Sequence, residues 1–271
     1  MRDLLVRHDL HPSKALGQHF VVDANTVRRV ARLAGVGPGD RVVEVGAGLG
    51  SLTLALAETG ASVTAVELDR RLAEVLRTVV QGLDPPVTVV EGDAMRLDWA
   101  ALLGGHRWVL VANLPYNVAT PLIATLLDEV PAIERFLVMV QREVGERLAA
   151  GPGDEGYGAV SVLVSYWAEA RVAGRVPPTV FFPQPKVESV LVDIRRRPTP
   201  AVGPDVDRGR LFELVRAGFG QRRKMLRRSL AARVEPAAFA SAGIAPEARA
   251  EELDVVAWGR LARCAPSPPP S

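Results

Sequence analysis

The stretch Val42-Val43-Glu44-Val45-Gly46-Ala47-Gly48-Leu49-Gly50 decides the fold class. Three valines around one acid predict a strand over Arg41–Val45. Three glycines at alternate positions then predict a tight turn, and Ser51–Glu58 resumes helical apolar spacing. Strand, glycine turn and helix open a nucleotide-binding α/β domain, whose ligand lies at the carboxyl end of the first strand.

Outward from that unit, strands are predicted at Ser62–Glu67, Val87–Glu91, Trp108–Ala112, Phe136–Val140, Arg171–Val176 and Ser189–Ile194. Helices are predicted at Asp23–Leu33 (with Asp23 as its cap), Arg70–Val80, Pro121–Leu127, Arg142–Ala149 and Val160–Ala168. This alternation implies a parallel sheet covered on both faces, with the fully apolar Trp108–Ala112 at its centre. Thr199–Asp207, rich in Pro, Gly and Asp, reads as a linker. Gly209–Val234 and Pro246–Arg263 read as helices of a small second domain. The expected division is therefore 1–198, 199–264 and a disordered Pro/Ser-rich tail, 265–271.

Two ligands suit the glycine loop. A dinucleotide prefers G-x-G-x-x-G with its pyrophosphate on a helix N-terminus. Here the third glycine comes one place early, and Glu44 disfavours phosphate. S-adenosylmethionine, with a cationic amino group and a sulfonium, fits that loop better. Glu67 ends the second strand, where a carboxylate can accept hydrogen bonds from two ribose hydroxyls. Asp93, after the third strand, suits an adenine amine or a simple turn.

Asn113-Leu114-Pro115-Tyr116 follows the apolar fourth strand. An exocyclic adenine amine is a poor nucleophile, because its lone pair is delocalised into the ring. Acceptors at the Asn113 amide and the Leu114 carbonyl would hold both amine hydrogens and aim the lone pair, while Tyr116 stacks on the base. Such chemistry needs orientation more than acid–base power.

Net charge is only +2, but twelve Lys/Arg face three Asp/Glu between Arg195 and Arg233. That asymmetry suggests a polyanion contact, although thirty of the 33 basic residues are Arg, as in a GC-rich genome. One cysteine, Cys264, permits no internal disulfide, and no metal cluster is expected. Apolar runs are too short to span a bilayer, and the first residues do not read as a secretory signal, so a cytoplasmic protein is expected.

The chain resembles the KsgA-type (RsmA-type) small-subunit rRNA adenine dimethyltransferases over nearly its whole length. The resemblance rests on Lys14-Ala15-Leu16-Gly17-Gln18-His19-Phe20, Asn113 through Pro121, Met139 through Val144, Gly151-Pro152 through Tyr157-Gly158, Phe181 through Ser189, Phe219 through Lys224, and Arg249 through Leu253. It implies a class I (Rossmann-like) methyltransferase fold with a mostly parallel seven-stranded sheet and a small helical C-terminal domain. It also implies dimethylation of two adjacent adenosines in the 3′-terminal hairpin loop of 16S rRNA, within a 30S or pre-30S particle, by a monomeric enzyme. Cofactor contacts would fall on His19, Val21, Gly46, Glu67, Asp93 and Asn113. The catalytic residues would be Asn113, Leu114, Pro115 and Tyr116, and the acceptor base would meet Asn113, Leu114, Tyr116 and Phe181, whose ring by itself also suits core packing. RNA contacts would fall on Arg222, Arg223, Lys224, Arg227 and Arg228. His19, Ala119 and Met225 depart from the family's usual Asn, Ser and Thr. An Erm-type 23S rRNA dimethyltransferase and a ribosome-assembly factor with secondary catalysis are the rival readings.

Overall fold

The computed structural model describes residues 5, 7–13, 17–115 and 117–265. Tyr116, Lys14-Ala15-Leu16 and residues 266–271 of the expected tail lie outside them.

Nine strands and eleven helices of the described residues carry the argument below. A short strand β1 (Phe20–Val21) leads into α1 (Ala24–Ala34), where Asp23 accepts from the Thr26 amide as the expected cap. Then come β2 (Arg41–Val45), α2 (Ser51–Ala57), β3 (Ser62–Glu67), α3 (Arg70–Val79), β4 (Thr88–Glu91), α4 (Trp99–Leu103), β5 (Trp108–Asn113), α5 (Ala119–Glu129) and β6 (Ile133–Gln141). After α6 (Arg142–Ala149) and α7 (Ala159–Trp167) follow β7 (Ala168–Val176), β8 (Phe181–Phe182) and β9 (Ser189–Arg196). The last helices are α8 (Arg208–Phe219), α9 (Leu226–Ser229), α10 (Pro236–Ser241) and α11 (Val255–Cys264).

Seven strands form one sheet in the order β4-β3-β2-β5-β6-β9-β7. The expected α/β fold is present, with apolar β5 in the middle position. The sheet is mixed: β2, β3, β4, β5 and β6 pair in parallel, whereas β6 and β9 are antiparallel. Arg196, at the end of β9, donates to the carbonyls of Leu126, Leu127 and Val130 at the C-terminal end of α5. Phe20–Val21 also pairs with Phe181–Phe182, a two-stranded ribbon that no local pattern announced.

The chain divides into two compact units: Met1–Gly145 with Arg171–Arg196, and Glu146–Ala170 with Arg197–Ser271. The chain crosses between the units at 145/146, 170/171 and 196/197, so the segment 146–170 belongs with the second unit. That segment leaves the first unit because Tyr157, Val162 and Tyr166 are buried in one apolar cluster with Leu211, Leu214 and Trp258. The segment read as a linker is also anchored: Val202 and Val206 belong to the same cluster, and Gly259 has no side chain because Val202 fills its place. Within the span expected to be helical, Gly209–Val234, the first helix stops at Phe219. A turn closed by the Lys224 amide on the Gln221 carbonyl interrupts it, and Met225 bridges to Arg249. Pro236 begins a further short helix, as a proline at a first helical position can.

Candidate active site

The carboxyl ends of β2, β3, β4 and β5 border a cleft within the first unit. Gly17, His19, Val21, Glu44, Gly46, Glu67, Asp93 and Asn113 all line it. All six residues to which the resemblance assigned cofactor contacts therefore meet at one place.

Two glycines make this assembly possible. Gly46, at φ 74°, turns the chain so that any Cβ would lie 3.7 Å from the Asn113 carbonyl. Gly48, at φ 58°, presses so close to Phe20 that a Cβ would sit 2.9 Å from the ring. The glycine turn thus touches both the Asn113 strand end and the β1 segment, and the Ser51 hydroxyl donates to the Val21 carbonyl at 3.0 Å.

Glu67 is 6% exposed and anchored through both oxygens. The Gly48 amide donates to one at 2.7 Å, and the Asp69 amide to the other at 2.9 Å. Burial raises this carboxyl above its usual value, opposed by those two amides. A rigid carboxylate at a strand end, with lone pairs left over, suits a vicinal diol. Glu44 lies deeper, fully buried, and accepts from the Thr53 hydroxyl at 2.6 Å. Burial pushes it up to about 8, so at neutral pH it is mainly protonated until a cation enters the cleft. Its effect on phosphate is therefore weaker than its formal charge suggests. Asp93 accepts from the Met95 amide at 2.9 Å, so the turn role and a place in the cleft coexist in one residue.

Asn113 ends β5. Its side-chain Nδ2 donates to the His19 carbonyl at 2.9 Å, which leaves Oδ1 as the acceptor end of the amide. His19 is in turn held by its ring Nδ1, 2.7 Å from the Pro183 carbonyl just after β8. The resemblance places a cofactor contact on residue 19, and its carbonyl orients Asn113. Leu114 is buried, and its amide donates to the Met139 carbonyl. Pro115 lines the cleft and caps the next helical turn through its carbonyl.

Other expected residues sit elsewhere. Phe181 is 3% exposed and packed with Val21, Val27 and Val176, so it offers no open face for stacking, and it does not line the cleft. Its strand is tied to β1, which turns the ring inward. In the basic segment, Arg222 is bound to Glu251 at 2.7 Å and to the Glu155 carbonyl, and Arg227 is paired with Glu247 at 3.3 Å. Arg223, Lys224 and Arg228 are exposed and make no ion pair among the described residues. The sequence reading missed Leu68 and Met95, exposed apolar side chains in the cleft at 53% and 41%. The signal was available, since each lies just beyond an acid already singled out. Among the described residues no group of acids, histidines or cysteines could hold a metal, and no helix is long and apolar enough to cross a membrane.

Comparison with known proteins gives the same pattern at full length. The family profile described as ribosomal RNA adenine dimethylase matches residues 10–265. A ribosomal RNA small subunit methyltransferase A of Leifsonia xyli subsp. xyli is 49% identical over 271 residues, covering 97% of this chain and 95% of the relative. Its counterpart in Thermobifida fusca is 47% identical over 275 residues, covering 98% and 94%. The crystal structure of the 23S rRNA methyltransferase ErmE aligns with a TM-score of 0.71 at 28% identity, over 91% of this chain and 99% of that one. A dimethyladenosine transferase from Plasmodium falciparum shares the fold at a TM-score of 0.72 and 23% identity, over 89% and 95%.

Proposed function

The chain belongs to the ribosomal RNA adenine dimethylase family, and from that premise we propose that it dimethylates N6 of two adjacent adenosines in the 3′-terminal hairpin loop of 16S rRNA. The substrate is the 30S or pre-30S particle, and the enzyme acts as a cytoplasmic monomer. Identity of 49% to a small-subunit methyltransferase, against 28% to ErmE, favours this over methylation of 23S rRNA. The observation that carries the mechanism is the Asn113 amide, held by the His19 carbonyl at the mouth of a cleft floored by Glu44 and Glu67.

The cleft fits S-adenosylmethionine: a buried acid for a cationic amino group, an anchored carboxylate for a diol, and two exposed apolar side chains to flank a purine. When bound, this cofactor supplies an electrophilic methyl group on a sulfonium. Glu67 would hold the ribose, Asp93 the adenine amine, and Leu68 and Met95 would flank the base. Residues of the β1 segment, His19 and Val21, close the cleft beside Gly46. Asn113 Oδ1 and the Leu114 carbonyl accept the two hydrogens of the target amine. That contact draws the nitrogen lone pair out of conjugation, and fixing the amine in line supplies the rest by orientation. Tyr116 stacks on the extruded base. Phosphate contacts of the second unit fall on Arg223, Lys224 and Arg228.

Mass mapping of methylated adenines after incubation with 30S and 50S particles tests the reading. Two adjacent dimethyladenosines near the 16S 3′ end are expected. Methylation confined to 23S rRNA would assign the chain to the Erm reaction instead.

A further inference from the structure

A second charged feature lies within the first unit, at the far end of the sheet from the cleft. Asp193 on β9 is 1% exposed, and three guanidinium groups converge on it: Arg135 at 2.7 Å, Arg171 at 2.8 Å and Arg195 at 3.3 Å. Burial by itself would raise that carboxyl. The three arginines outweigh burial and hold it below its usual value. One ionised acid therefore faces three permanent cations. Arg171 and Arg195 keep 67% and 61% of their side chains exposed, so their outer N–H edges remain directed to solvent.

Helix α1 extends the same surface. Arg135 donates to the Leu33 carbonyl at 2.9 Å, next to Arg32, which is exposed and makes no ion pair among the described residues. Arg29, one turn earlier, donates to the Arg175 carbonyl on β7 at 3.0 Å and covers Gly174, where a side chain would collide with it. Helix α1 and strands β6, β9 and β7 thus present one connected face of arginines. The nearby acids Glu58 and Glu134 are engaged by Arg28 and Arg107 at 3.8 and 3.2 Å, and Asp40 accepts from the Gly37 amide at 2.9 Å. Strand register separates this face from the catalytic motif. Met139 pairs with Asn113 at the cleft, whereas Arg135, four residues earlier on β6, pairs with Arg195. That is about 13 Å along the strand.

Resting on the rRNA reading above, we propose that Arg29, Arg32, Arg135, Arg171 and Arg195 form a second docking surface, which binds the ribose–phosphate backbone of the rRNA away from the target adenosines. Charge complementarity argues for this occupant. Three cations outnumber the single acid they contact, and guanidinium groups fixed by Asp193 lose little freedom on meeting phosphate. Backbone contacts of this kind set register and orientation without reading sequence. The surface would anchor the particle while the cleft presents its cofactor to the hairpin.

The test is a triple variant, Arg32→Ala with Arg171→Gln and Arg195→Gln. Glutamine removes each charge but can still donate to Asp193. Binding is measured across a salt series with 30S particles lacking the dimethyladenosines and with protein-free 16S rRNA. Affinity for both should fall about 10-fold, and the plot of log K against log salt should become shallower by about 2 to 3. Binding of S-adenosylhomocysteine should stay unchanged. If the triple variant melts early, Arg32→Ala alone should still flatten the slope by about 0.7–0.9. Unchanged affinity and slope would overturn the proposal. A loss seen with particles but not with bare rRNA would overturn it too, because the surface would then meet a ribosomal protein. Wild-type protein that neither binds nor methylates particles would instead sink the underlying reading.

Discussion

The cleft of the first unit and the basic segment of the second are both rich in functional candidates, yet they behave differently on folding. In the cleft, residues scattered from His19 to Asn113 converge, and every assigned cofactor contact lines one cavity. In the basic segment the five cations adjacent in sequence separate. Arg222 and Arg227 turn to acids and a carbonyl of their own unit, while Arg223, Lys224 and Arg228 stay exposed. Motif residues at strand ends are placed by backbone geometry, which local sequence dictates. Surface arginines are placed by whichever acid the tertiary fold brings near.

The sharpest way to break this contrast is Asn113→Ala. At saturating S-adenosylmethionine, single-turnover methylation of 30S particles should fall about 10²–10³-fold while the melting temperature holds. A near-wild-type rate would remove Asn113 from the catalytic centre. His19→Ala keeps the carbonyl that orients Asn113 but removes the ring's anchor on Pro183, so it should produce a smaller loss that disappears in the Asn113→Ala background; additive losses would separate them.

Glu67→Ala comes next. Removing an anchored acceptor of two ribose hydroxyls should weaken S-adenosylhomocysteine binding by about 1.5–3 kcal/mol, read by calorimetry, with little change in rate at saturation. An unchanged dissociation constant would take the ribose away from Glu67.

Glu44 gives the cleft a pH dependence. Its folded value near 8 lies above the unfolded 4.5, so the native state holds the proton more tightly. Its contribution to stability therefore diminishes as pH rises from about 4.5 to 8. A cationic ligand beside it favours ionisation, so S-adenosylmethionine affinity should increase between pH 6 and 8. Glu44→Gln keeps an acceptor for Thr53 and should flatten both trends in melting and titration curves. Parallel curves for variant and wild type would show that another group titrates.

The smallest expected effects lie in the second unit. Arg223→Ala, Lys224→Ala and Arg228→Ala together should flatten the salt dependence of particle binding without shifting the melting temperature. Arg222→Ala with Arg227→Ala should cost up to about 1 kcal/mol per ion pair in stability and change the salt slope less. The reverse pattern would mean that the internal pairs open when RNA binds.

Much of the fold could be read from residue order alone. The valine-rich run before Gly46 and the apolar run Trp108–Ala112 became β2 and central β5, and Asp23 became a cap, because period, branching and capping are local properties. The glycine spacing and the acid at the end of β3 likewise marked the cleft. Contacts between distant segments were not legible. The pairing of Phe20–Val21 with Phe181–Phe182 turned Phe181 into a core residue, and the His19 carbonyl took charge of the Asn113 amide. Neither leaves a periodic trace, since each depends on chain segments roughly a hundred residues or more apart. Residues 146–170 joined the second unit for a similar reason, because their aromatic side chains find their largest apolar neighbours among its helices. The sequence by itself therefore determined where strands and helices alternate along the chain, the glycine turn and the chemistry present at the strand ends. Tertiary structure alone decided which arginines are tied to acids, which aromatic ring is buried and which way Asn113 faces. Those outcomes depend on burial and on partners supplied across the fold.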